Sequence, residues 1–168
     1  MFSTTTKLDE TCHAQPRPTV LLTCADNIMP LSWHTPISKE PFRYAICVRD
    51  ENYSHELLLK HREFALNFLD HSFVQAHQIT GAIHGRGVNK FKESGLSEKK
   101  GANATLIEEA YMIYECCVID VLNYGDHDVF IADVNLIHNK QNKDVSPTLF
   151  MGRGAYETIS KNPTQIKR

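Results

Sequence analysis

Phe42, Tyr44, Ile46 and Val48 stand at every second position, with Arg43, Ala45 and Arg49 between them. Successive side chains of a strand point to opposite faces, so this is the signature of a half-buried strand. The same alternation returns in Phe64-Ala-Leu-Asn-Phe-Leu69 and at Phe130, Ala132, Val134 and Leu136, with Thr19 to Thr23 a shorter run of β-formers. Between Met112 and Leu122 apolar residues fall on both faces, as in a long central strand or one carrying a bulge.

What joins these runs is short. Asp26-Asn27 is turn chemistry between Thr23 and Leu31, so strands near 18–25 and 28–35 are expected to form a hairpin, and Tyr124-Gly-Asp-His127 reads as the turn of a second one. Two segments read as helix: His55 to His61, with Asn52 or Ser54 available as cap, and Phe73 to Thr80. Short helices among hairpins favour an antiparallel barrel or sandwich over a doubly wound parallel sheet, which needs longer helices between successive strands. With 168 residues and 42% hydrophobic content the chain buries a core without disulfide or metal staples. The expected organisation is a single domain spanning 1–168, its core about 16–158, with polar residues 1–15 and basic residues 161–168 as loose ends.

Several function classes drop out at this level. A formal net charge of -2, from 18 basic and 20 acidic residues, gives no global positive field for nucleic acid. No apolar run approaches the roughly 20 residues needed to cross a bilayer. Met1 to Glu10 lacks the basic region and apolar stretch of a signal peptide, and the expected location is the cytoplasm. Cys12, Cys24, Cys47, Cys116 and Cys117 form no C-x-x-C and are expected to be reduced thiols. His71, His77 and His84 recur at six and seven residues. However, there is no H-E-x-x-H, and adjacent Cys116 and Cys117 face opposite ways on a strand, so no metal is expected. No G-x-S-x-G marks a hydrolase. Gly81-Ala-Ile-His-Gly85-Arg-Gly87 and Gly152-Arg-Gly154 complete neither a G-x-G-x-x-G nor a P-loop.

Three stretches carry possible chemistry. Arg49-Asp-Glu-Asn-Tyr-Ser-His55 links a strand to a helix start, where free backbone N–H groups and the helix dipole favour an anion, with Asn52, Ser54 and Arg49 as further donors; an ordinary helix cap is the alternative. In Ser32-Trp-His-Thr-Pro-Ile-Ser38, Pro36 is expected to end the strand ladder and leave amides free for the polar edge of a planar heterocycle. A buried Trp33 beside an edge-strand Pro36 is the alternative. His84-Gly-Arg-Gly-Val-Asn-Lys-Phe91 reads as a flexible stretch whose Arg86 and Lys90 either fold over a bound anion or ring, or are simply solvated.

The order of these motifs resembles one known family, the flavin reductase-like, FMN-binding split-barrel proteins, and within it the flavoredoxins. The likeness runs from Pro16-Arg-Pro-Thr-Val-Leu-Leu-Thr-Cys24 through Ser32-Trp-His-Thr-Pro-Ile-Ser38 with Pro41, the Arg49 to Ser54 stretch, Phe64-Ala-Leu-Asn67 and Thr80-Gly81. It continues in Gly87-Val-Asn-Lys-Phe91 with Gly95-Leu96, Gly125-Asp-His127 with Phe130-Ile131, and Gly152-Arg-Gly154 with Tyr156. The resemblance implies a six-stranded antiparallel Greek-key split β-barrel with a few short helices. It also implies a homodimer, with FMN near the subunit interface. Carried over by position, Trp33, His34 and Thr35 lie along the isoalloxazine; Arg49, Asn52, Ser54 and His55 receive the phosphate; Lys90 and Phe91 belong to a loop near the flavin; and His127 lies close to the nicotinamide. The implied activity is electron transfer from NADH or NADPH, bound as a transient substrate, or from a redox partner protein, through FMN. A flavoredoxin-type carrier without direct NAD(P)H use and a non-catalytic FMN-binding module are the alternatives. The hairpin shortened to Ala25-Asp-Asn-Ile28 resembles the flavoredoxin side of the family, and Ala155 stands where a second glycine is common.

Overall fold

The computed structural model describes residues 16–141, 144–152 and 154–159. Along them run strands β1 (Arg17–Pro18), β2 (Val20–Cys24), β3 (Asn27–Leu31), β4 (His34–Lys39) and β5 (Phe42–Arg49), then helix α1 (Tyr53–His61) and strand β6 (Glu63–Phe68). Helices α2 (Val74–Ala82) and α3 (Lys90–Ser94) follow, then β7 (Glu98–Lys100), β8 (Thr105–Ile107), the two longest strands β9 (Met112–Asn123) and β10 (His127–Asn139), and a last hairpin of β11 (Thr148–Gly152) and β12 (Ala155–Thr158). The expected loose ends at 1–15 and 161–168, Cys12 and the Arg153 of Gly152-Arg-Gly154 lie outside the described residues.

The fold is mainly β, and every pairing is antiparallel. The principal sheet has seven strands in the order β3-β2-β6-β9-β10-β5-β4, where six were expected; β1-β11-β12 and β7-β8 form smaller sheets. The extra strand arises because β3 and β4, the two edges, are consecutive in the chain and separated only by Ser32 and Trp33. Strands near opposite ends of the sheet share one core: Val20 and Leu22 of β2 cluster with Tyr44, Ile46 and Val48 of β5. The sheet therefore curls around that core.

Neighbouring residues feed two cores. On β2 and β6, Leu22, Phe64 and Leu66 enter the first, while Leu21 and Ala65 enter a second, which Ala76 of α2 and Phe91 of α3 cover. This double burial explains the apolar runs of β2 and β6. Asn67 ties the layers together, because its Nδ2 donates to Leu21 O and Thr23 Oγ1, both at 3.0 Å, and its Oδ1 accepts from Ile107 N at 2.9 Å. Strand β9 is both central and bulged. Ile131 pairs with Asp120 and Ala132 with Val118, leaving Ile119 as an extra residue, and β10 carries its own extra residue at Asn135.

The hairpin between β2 and β3 closes at Cys24 and Asn27, with Ala25 at φ +51°. The segments expected as helices form α1 and α2. Two expectations are corrected. Pro36 does not end the ladder, since β4 runs on to Lys39 with Pro36 opposite Tyr44; β4 is an edge strand, where a residue lacking an N–H removes no bond from the sheet interior. The stretch read as flexible through Phe91 includes the start of α3, capped by Asn89 Oδ1, which accepts from Lys92 N at 3.0 Å, and stopped by Gly95 at φ +70°. Among the described residues, no helix is long and apolar enough to cross a membrane.

Candidate functional site

A cleft of about 390 Å³ opens where the start of β3, the first turn of α1, the end of α2 and the start of α3 meet. Its most unusual group is Lys90, 4% exposed. Its Nζ donates to Ile28 O at 2.8 Å and Thr80 O at 2.7 Å. Among the described residues no carboxylate comes within ion-pair distance of it. Burial lowers its pKa, as expected for an ammonium taken from water without a counter-ion. A buried charge of that kind is costly, and an anion in the cleft would balance it.

Two further donors sit beside it. Ser54, 2% exposed, lies in the first turn of α1 and lines the cleft. Asn52 is the N-cap of that helix, yet its side chain makes no capping hydrogen bond and lines the same cleft. Of the residues expected to form an anion site at this helix start, Asn52 and Ser54 line the cleft while Arg49 and His55 do not, and Lys90 comes to it from a segment 38 positions beyond Asn52.

The cleft continues as a trough. Met29, Pro30 and Asn52 also line a neighbouring hollow of about 200 Å³ with Trp33, Cys47, Arg49 and His127. Ser32, Trp33 and Cys47 are shared in turn with a third hollow of about 370 Å³, walled by Arg17, His34 and Thr35. Trp33 and His127 stack across the middle with ring centroids 4.7 Å apart, and the Arg17 guanidinium lies 5.9 Å from the indole centre. His127 Nδ1 is 2.8 Å from Asp126 Oδ1, and this contact holds the exposed Asp126 carboxyl below its usual range. Arg49 pairs with His127 across β5 and β10, and its guanidinium lies 3.3 Å from Glu51.

Other expected site residues are used by the fold. His34 is tied at both ring nitrogens, with Nε2 3.1 Å from Pro18 O and Nδ1 2.9 Å from Tyr44 OH; burial lowers its pKa. A neutral ring donating to the carbonyl and accepting from the phenol satisfies both contacts. His55 is nine-tenths buried with its ring against Phe130 and its Nε2 2.7 Å from Asp128 Oδ2, so it braces α1 against β10. Phe91 is buried in the second core. Thr35 is exposed on β4 at the far end of the trough.

Sequence reasoning missed Asn27 and Gly85 as site residues. Asn27 Nδ2 donates to Ser54 Oγ at 2.7 Å. A Cβ on Gly85 would stand 2.1 Å from Asn27 Oδ1. The only available signal was Gly85 within a Gly-rich stretch, since Asn27 reads locally as a turn residue. Cys47 was also missed as part of the trough, because its place depends on the bend that brings Trp33 over β5. Among the described residues no three His, Cys, Asp or Glu side chains gather as a metal site.

The chain is 28% identical over 110 residues to an uncharacterized protein of Pyrococcus abyssi, covering 64% of this chain and 63% of that one, so it spans less than two thirds of that relative's length. Its fold matches a crystal structure of an FMN-binding protein from Thermus thermophilus with bound p-hydroxybenzaldehyde, with a TM-score of 0.89, 22% identity and 99% coverage of both chains. It also matches a flavoredoxin from Methanosarcina acetivorans, with a TM-score of 0.82, 20% identity and coverage of 97% of this chain and 95% of that one. The flavin reductase like domain model matches residues 12–160, and the chain accordingly belongs to the flavin reductase-like family.

Proposed function

We propose that this protein is an FMN-binding oxidoreductase that passes electrons from NADH or NADPH through FMN. One observation carries the reading. The buried, carboxylate-free ammonium of Lys90 sits at one end of a trough whose middle is walled by the stacked Trp33 and His127. A phosphate monoester on an aromatic ring system matches that sequence of walls, anionic end first.

In this reading Lys90, Ser54 and Asn52 hold the phosphate, with Arg49 adding charge from the rim. Trp33, Cys47 and Thr35 line the ring. His34 and His55 act at one remove, because their nitrogens are spent on Pro18, Tyr44 and Asp128. FMN, when bound, supplies the redox chemistry, accepting a hydride or passing electrons singly. The chain supplies position and a partly apolar surface: Met29 and Pro30 line one wall, and Trp33, held by its stack on His127, sets the wall beside which the flavin ring lies. His127 lines the middle hollow with Nδ1 held by Asp126, which fixes the orientation of its ring, and in this reading the ring contacts a nicotinamide. NAD(P)H binds as a transient substrate, since the chain has no dinucleotide fingerprint.

A homodimer belongs to the same reading. Ile119, Leu122, Leu136 and Ile137 of β9 and β10 are exposed apolar residues on one long hairpin, which a second copy would cover. The runner-up is a flavoredoxin-type carrier reduced by a partner protein; the two-residue turn at Ala25-Asp26 and the likeness to a flavoredoxin fold favour it. A binding module without turnover is the third reading.

The deciding measurement is the visible spectrum after FMN is added and the excess removed, followed by anaerobic NADH and NADPH. Retained flavin that bleaches within seconds supports the reductase. Retained flavin that bleaches only with dithionite supports the carrier or module, and a colourless protein that also fails to catalyse NADH- or NADPH-dependent reduction of free FMN overturns all three.

A further inference from the structure

The geometry points to Asn27 as a positioning residue for the anion cleft, one that turns the Ser54 hydroxyl proton into the cleft toward a phosphate. The inference rests on the reading of this cleft as the phosphate end of the trough, and it assigns a role to a residue that contacts the ligand only through another.

A serine hydroxyl has one proton and two lone pairs. Asn27 Nδ2 donates to Ser54 Oγ at 2.7 Å and so occupies a lone pair. Among the described residues no acceptor takes the Ser54 proton, which leaves it to donate into the cleft that both residues line. Both side chains are buried, Asn27 at 3% and Ser54 at 2% exposure, so water does not compete for this bond.

Gly85 fixes where the amide lies. Asn27 Oδ1 is buried with no hydrogen-bond partner among the described residues, on the side where Gly85 lacks a side chain. A Cβ there would lie 2.1 Å from Oδ1, 2.7 Å from Cγ and 3.0 Å from Tyr53 Cδ1, so only glycine leaves the amide in place. An unpaired buried carbonyl oxygen is destabilising, and its retention in this position is explained if the other end of the amide is required. The next residue repeats the device, since Ile28 O holds Lys90 Nζ at 2.8 Å. The first two residues of β3 thus position two of the cleft's donors, Ser54 through a side chain and Lys90 through a carbonyl.

The test compares FMN with riboflavin, which lacks the phosphate, by titration calorimetry on the full chain, with far-UV circular dichroism confirming each variant is folded. Asn27→Ala is expected to reduce the preference for FMN over riboflavin by roughly 10- to 100-fold, the size of a lost hydrogen bond to a charged group, and to leave riboflavin affinity unchanged. Ser54→Ala is expected to do the same, and the double variant to lose no more than either single one, because the two residues act as one donor. Asn27→Asp, which can only accept from Ser54, is expected to remove the preference. Gly85→Ala, which displaces the amide without touching its chemistry, repeats the Asn27→Ala effect and has none in the Ser54→Ala background.

Additive losses from Asn27→Ala and Ser54→Ala, or an equal loss of FMN and riboflavin affinity, overturn the inference while leaving the phosphate reading intact. Wild-type protein that binds FMN no more tightly than riboflavin removes the phosphate reading itself, and the inference with it.

Discussion

The indole of Trp33 and the imidazole of His127 lie 22° from parallel with centroids 4.7 Å apart. Trp33 stands in the two-residue break between β3 and β4, and His127 is the first residue of β10, so the stack pins the bend of the chain to the β9–β10 turn. A stacked pair of this kind contributes about 0.5–1.5 kcal/mol beyond the area it buries. His127→Ala is therefore expected to leave FMN bound and the fold intact, while slowing anaerobic reduction by NADH or NADPH. Stopped-flow bleaching at the wild-type rate would refute a nicotinamide role for His127.

The cleft ranks its own cations. Lys90 is buried and donates to two carbonyls, whereas the Arg49 side chain is 50% exposed and already faces Glu51. An exposed charge is screened by water and salt, and a buried one is not. Lys90→Met is expected to weaken FMN binding by at least roughly tenfold and Arg49→Ala by only a few-fold. Adding Ser54→Ala to Arg49→Ala deepens the loss. Equal effects of Lys90→Met and Arg49→Ala in fluorescence titrations, or unchanged affinity in Arg49→Ala with Ser54→Ala, would contradict this ordering.

Much of the fold is legible because burial differs between faces. Tyr44, Ile46 and Val48 face one core, and the alternation of β5 follows directly. The doubled apolar character of Met112 to Leu122 reports both the central place of β9 and its extra Ile119. Pro36 misleads because its cost depends on whether its strand is an edge, which only the sheet order decides. Lys90 is only half legible. Between Gly87 and Gly95 it reads as either folded over a bound group or solvated, and one of the two carbonyls that hold it, Ile28 O, lies 62 residues away, beyond any local pattern. His34 and His55 stand out in the sequence, but their partners Pro18, Tyr44 and Asp128 do not: a sequence marks a polar residue in an apolar setting without saying which way its ring turns.

Glu115 is fully buried beneath the β7–β8 turn, with Oε2 accepting from Asn103 N at 2.7 Å and Oε1 lying 2.6 Å from His138 Nε2. Burial pushes its carboxyl up, but the Asn103 amide, His138 and the Ala104 amide together hold it below the ordinary value. A depressed carboxyl contributes stability above its unfolded value, about 4.3, that is lost as pH falls through the folded one. Glu115→Gln should cost about 1–3 kcal/mol at pH 7 and flatten the urea midpoint against pH below about 4. Gly101→Ala is expected to cost about as much, because its Cβ would lie 2.5 Å from Ala104 O and 2.7 Å from Glu115 Oε2. A Glu115→Gln curve parallel to wild type would refute the assignment.

His77 gives a second pH dependence in a different window. It is fully buried, its Nε2 has no hydrogen-bond partner within normal geometry among the described residues, and burial, outweighing the Phe73 and Thr19 backbone carbonyls and aided by nearby His71, lowers its pKa to about 4. The unfolded chain takes up this proton near pH 6.5 and the folded chain does not, so stability falls as pH drops from about 6.5 to about 4. The loss amounts to on the order of 3 kcal/mol. His77→Leu should remove most of that slope, read as urea midpoints at pH 7.5 and pH 4.5. An unchanged difference between the two pH values would show that His77 is protonated in the folded state.

Cys47 offers a readout of the trough that does not depend on turnover. Its thiol lines both hollows around Trp33, and burial raises its pKa, so alkylation should be slow but measurable at mildly alkaline pH. Cys24 and Cys116 are fully buried, Cys24 with its pKa pushed up to about 12 and Cys116 higher still, so both should stay unlabelled in the folded protein. Cys117, on the opposite face of β9 beside Asn135, serves as the internal control. If FMN lies along the trough, saturating FMN slows iodoacetamide labelling of Cys47 and leaves Cys117 unchanged, as followed by peptide mass spectrometry. FMN that protects neither thiol, or both equally, would put the flavin elsewhere on the protein, because a ring beside Trp33 occupies the hollows that Cys47 lines on both sides.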